Sequence, residues 1–152
     1  MTETSHDISV LNGLIATTLD SADGYSEAAK DTESSAHRQL FTARATERRQ
    51  IVSALQGDVS RLGGTPEDDG TILAGAHRVF LNLKAAVTGK NDKAIVNEVE
   101  SGEDHIKAKY ESALKDTDLS PATKSAIESA YTSVRAGHDE MRTLKHALED
   151  AS

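Results

Sequence analysis

The chain has 152 residues, enough to bury a core as one domain spanning 1–152, and its 17 Lys+Arg against 25 Asp+Glu leave a formal charge of −8. That charge repels phosphate backbones and anionic lipid surfaces, so nucleic acid and membrane are excluded as partners. Cysteine is absent, which removes disulfides, thiolate nucleophiles and thiolate metal sites, and suits a soluble cytoplasmic protein.

Aromatic residues make up 3% of the chain and the two prolines, Pro66 and Pro121, fall where connections are expected. Alanine, leucine and charged residues dominate the remainder, the composition of helices packed on helices. Ile8, Leu11, Ile15, Thr18, Ala22, Tyr25 and Ala29 recur at alternating spacings of three and four, which predicts a first helix over Asp7 to Lys30. After a polar turn at 31–34, a second helix carries two adjoining stripes. Leu40, Ala43, Glu47, Ile51 and Ala54 form one; Phe41, Ala45, Val52, Val59 and Leu62 form the other, and together they make an unusually wide apolar arc. Gly63, Gly64 and Pro66 end it.

A shorter amphipathic segment, Thr71 to Thr88, predicts a fifth helix inside a long crossover. The third long helix is expected over Asp92 to Lys115, with Ile95, Val99, Ile106, Tyr110 and Ala113 inward. Ser120 as N-cap and Pro121 at the first helical position open the fourth, whose seam is Ile127, Ala130, Val134, Met141, Leu144 and Leu148. Two short turns and one long connection give an all-α four-helix bundle in which the second and third helices run parallel.

Polar residues on these seams are the candidate site. Glu47, Glu103 and His138 lie on three different helices at similar heights, the residue types of a carboxylate-bridged metal site, and are the candidate metal ligands. Tyr25, Arg135 and His77 are the expected remainder of a buried polar network. The ferritin-like arrangement uses a Glu from each of two helices and Glu-x-x-His from each of the others. Here the second helix offers Glu47 with Gln50, and the fourth offers Arg135 with His138, so half of that set is missing. The favoured reading is therefore a buried ion-pair network, in which Arg135, Arg48 or His138 neutralises the carboxylates. No cofactor is expected under it; iron or zinc belongs to the alternative. Interior glycines at 24, 57, 102 and 137 either permit close approach near the polar cluster or are merely tolerated. No phosphate loop, nucleophile elbow, zincin motif or dinucleotide fingerprint is present.

Several segments resemble an uncharacterised bacterial family of ferritin-like four-helix-bundle proteins, a domain of unknown function. They are Asp20 to Tyr25, Glu47 to Arg49 with Leu55 and Gln56, Leu62 to Gly64, His77 with Arg78, Glu100 to Asp104 with Tyr110, Ala113 and Leu114, and His138 with Asp139. The resemblance covers nearly the whole chain and implies a ferritin-like fold and an association with stress conditions, but no reaction. The expectation is a non-catalytic structural or interaction protein, a homodimer by default because of the wide apolar arc. The alternative is a carboxylate/histidine metalloprotein handling oxygen or peroxide.

Overall fold

The computed structural model describes residues 2–68 and 92–151. They form helices α1 (Thr2–Asp31), α2 (Ser35–Arg61), α3 (Asp92–Leu114) and α4 (Pro121–Ala151), with no strand among them. The helix expected over 71–88 lies outside the described residues. No helix among those described is long and apolar enough to cross a membrane.

Local chemistry sets the helix ends. Ser34 caps α2 by accepting from His37 N at 3.1 Å. At the other end Gly63 takes φ 85°, and Gly63 N and Gly64 N return to the carbonyls of Ser60 and Val59, each at 3.0 Å. This left-handed turn suits glycine because it has no Cβ. Gly64 is needed for a second reason, since a Cβ there would come within 2.8 Å of Ile8 Cδ1.

Helix α1 starts five residues before the apolar seam predicts, and tertiary hydrogen bonds account for the extension. His6 Nε2 lies 2.7 Å from Asp116 Oδ2. The buried Asp7 carboxylate accepts from Ser120 N at 3.2 Å, Ser120 Oγ at 2.6 Å and Thr123 Oγ1 at 2.9 Å, at the N-terminus of α4. Burial works against the charge of Asp7, but these hydrogen bonds outweigh it and hold the carboxyl below its ordinary value of 3.8. A depressed folded value stabilises above the unfolded pKa, and that contribution is lost as pH falls through the folded value. Asp7→Asn should therefore cost about 1–3 kcal/mol at neutral pH. The gap to the parent should close in denaturant melts taken progressively into the acid range; a gap independent of pH would refute the assignment.

Residue pairs along the helices fix their directions. Contacts of Ser26 with Arg49 and of Asn12 with Thr65 make α1 and α2 antiparallel. Thr18 with Tyr110 and His6 with Asp116 do the same for α1 and α3, and Glu111 with Tyr131 and Asp104 with His138 for α3 and α4. Both α2 and α3 are thus antiparallel to α1 and parallel to each other.

The core has two apolar halves. One contains Leu11, Ile15, Val52, Leu55, Ile106, Tyr110 and Ile127; the other contains Ala28, Phe41, Ala45, Ile95, Val99 and Met141. Between them, at the level of Ser21, Arg48, Glu103 and Gly137, the interior is polar.

Candidate functional site

On α2 the positions Phe41, Ala45, Arg48, Val52, Leu55 and Val59 alternate by four and three and are all buried. Arg48 is therefore in the seam itself, fully enclosed, and Glu103 of α3 is 1% exposed. Arg48 Nη2 donates to Glu103 Oε2 at 2.7 Å and lies equally close to Oε1, while Nη1 donates to Ser21 Oγ at 2.7 Å. The guanidinium carbon sits 5.5 Å from the centre of the Tyr25 ring. Burial opposes the Arg48 charge most strongly, yet the Glu103 charge and hydrogen bond outweigh it and raise the pKa, so the guanidinium stays cationic. Burial, and after it the Glu103 charge, pushes the Tyr25 hydroxyl well above its ordinary value, so it stays a neutral phenol. Arg48 Nε finds no hydrogen-bond partner among the described residues.

Gly137 of α4 makes room for this pair. A Cβ at that position would overlap Arg48 Nη2 and come within 3.3 Å of Glu103 Oε2. Gly57 and Gly102, by contrast, have open space where a Cβ would go. Close approach thus explains Gly137, and mere tolerance suffices for Gly57 and Gly102.

A second polar group lies on the α3–α4 side. His138 is buried, but its Nε2 meets Asp104 Oδ1 at 2.6 Å and its Nδ1 lies 3.4 Å from Asp139 Oδ1. Glu100, one helical turn before Asp104, completes a group whose donor atoms lie within 4.8 Å of one another. Arg44 separately ties α2 to α4, donating to Glu47 at 2.6 Å and to Glu140 at 2.8 Å.

The expected trio is thus divided among three sets of partners. Glu103 is interior, as its seam predicts, and Tyr25 lies beside it. Glu47 instead sits at the bundle margin with Arg44, because the adjoining stripe of α2 faces inward and turns Arg48, not Glu47, toward the centre. His138 turns its ring to Asp104 and not to Glu103. The place given to Arg135 in the buried network is corrected: it is exposed, one position beyond the inward Val134. His77 lies outside the described residues. Glu100, Asp104 and Asp139 fall within segments that carry the family resemblance but were not expected as site residues. The signals available were the one-turn spacing of Glu100 and Asp104 and the carboxylate following His138.

Residues 6–116 match the family described as domain of unknown function DUF2383. The chain belongs to this DUF2383 family. No curated protein matches its sequence. Among solved structures, a mutant of Dps1 from Mycobacterium smegmatis is similar with a TM-score of 0.77 at 12% identity, over 95% of this chain and 97% of that one. This likeness establishes the ferritin-like helical bundle. The DUF2383 interior, however, does not fit the paired metal ions of ferritin-like carboxylate sites. Such sites gather four carboxylates and two imidazoles, whereas here Glu103, the interior carboxylate of the candidate trio, is already neutralised by a guanidinium at 2.7 Å. A fixed cation in that place repels a metal ion and removes its ligand.

Proposed function

We propose that this DUF2383 protein is a non-catalytic, stress-associated bundle that works by association with other chains, in the first place with a second copy of itself. The observation carrying this reading is the Arg48–Glu103 pair, which puts a permanent cation where the ferritin-like reaction centre would need metal ligands. With Glu103 occupied by Arg48 among the described residues, the working parts are surfaces. The outward side of α2 supports self-association. Ala43, Thr46, Gln50, Ser53, Ala54 and Gly57 are exposed and uncharged along it, so two chains of charge −8 meet there with the least repulsion.

Multi-angle light scattering on the purified chain, with Fe(II) added in air to the same sample, tests both parts. A dimer that Gln50→Glu and Ala54→Glu weaken is expected, together with iron oxidation no faster than in buffer. A monomer at high concentration would remove self-association. Oxidation above buffer that Glu103→Ala abolishes would overturn the non-catalytic reading. A deletion strain that withstands starvation and oxidant as well as its parent would remove the stress assignment.

A further inference from the structure

The geometry points to a zinc-class divalent cation site formed by Glu100 and Asp104 of α3 and His138 of α4. It is separate from the interior ion pair and from the outward face of α2. Three protein donors on two helices, all within 4.8 Å, are a ligand set that leaves a fourth tetrahedral position for water. Imidazole among the donors selects a transition ion over calcium or magnesium, which take oxygen alone.

The histidine supplies the decisive observation. Its side chain is 6% exposed, so the ring is held by packing, and its two nitrogens face different carboxylates. Nε2 meets Asp104 at 2.6 Å within the donor group, and Nδ1 faces Asp139 at 3.4 Å outside it. A metal-bound imidazole is ordinarily oriented in this way, with its second nitrogen donating to a carboxylate that fixes the tautomer. The cation would take the place of the contact between Nε2 and Asp104. Tetrahedral bonds to zinc need donor separations of roughly 3.4 Å. The adjustment falls on Asp104, whose side chain is 60% exposed and would open from its 2.6 Å contact with His138 Nε2. Lys145 Nζ, 3.6 Å from Glu100 Oε2, is the cation that opposes the ion.

Calorimetric titration of the full chain with zinc chloride, and with cobalt(II) for its tetrahedral absorption bands, tests the assignment. One ion per chain is expected, bound at least about tenfold more weakly by Asp104→Asn and His138→Gln, and about tenfold more weakly by Asp139→Asn. Lys145→Met should tighten binding about threefold, as expected from removing one partly exposed ion pair. Asp104 is exposed, so its variant reports on the site even where the buried His138 variant misfolds. His6→Ala, in the separate group of His6, Asp116 and Asp118, should leave affinity unchanged. Absence of zinc binding would overturn the proposal. So would binding that Asp104→Asn leaves intact, or binding that His6→Ala removes.

Discussion

Replacing Arg48 by methionine should lower stability by about 3–5 kcal/mol, the scale for leaving a buried charge without its partner. Glu103 is 1% exposed and its carboxylate would lose the guanidinium it pairs with. Removing both charges should behave differently. In Arg48→Met with Glu103→Leu the desolvation cost of the pair disappears, and the double variant should come within about 1 kcal/mol of the parent or exceed it. Arg48 Nε, without a partner among the described residues, supports that direction. Arg135→Met serves as the control and should stay within about 0.5 kcal/mol, since the side chain is exposed. Urea unfolding of the four proteins measures all of this. An Arg48→Met protein as stable as the parent would contradict the dry ion pair.

Gly137→Ala should be the second costly change, although helix propensity alone favours it by about 1 kcal/mol. The new methyl group would occupy the space of Arg48 Nη2 and crowd Glu103 Oε2, so the buried pair must shift to admit it. A net loss of about 1–3 kcal/mol is expected from such overpacking. Gly57→Ala and Gly102→Ala meet no atom within 4 Å and should instead gain about 0.5–1 kcal/mol. The sign should also reverse at position 137 once Arg48 and Glu103 are both apolar and the guanidinium is gone. Thermal melts of Gly137→Ala in both backgrounds give the coupling directly; equal effects in the two would show that the glycine does not serve the ion pair.

Helix positions and directions follow from the apolar periodicity, because four seams and two short turns admit few arrangements. The rotation of α2 does not. Its two stripes differ by one residue, about 100° around the axis. Both carry enough apolar residues to face inward, and a charged residue lies on each: Glu47 on one, Arg48 on the other. Only packing against α1 decides between them. Phe41, Leu55 and Val59 bring Arg48 with them, its aliphatic stem filling the seam and its head reaching Ser21 and Glu103. His138 illustrates a different limit, since periodicity places its Cα inward but says nothing about which way the ring turns. Arg135 follows Val134 by one position, enough to carry a charged side chain into water. The early start of α1 was invisible for a related reason. Its anchors, His6 and Asp7, are polar and find partners more than a hundred residues away.

The two halves of the interior ion pair belong to different helical hairpins. Arg48 is carried by the α1–α2 hairpin and Glu103 by α3–α4, each closed by a short turn. Neither hairpin alone can neutralise its charge, so each keeps a hydrated ion on the face it must later bury. Burying both ions is compensated only where the two meet, as they do in this structure. A pair assembled upside down or offset would strand a guanidinium against aliphatic side chains and a carboxylate elsewhere, with several kcal/mol lost at each. Two charges placed one per hairpin therefore favour the native docking of the hairpins over offset or inverted arrangements.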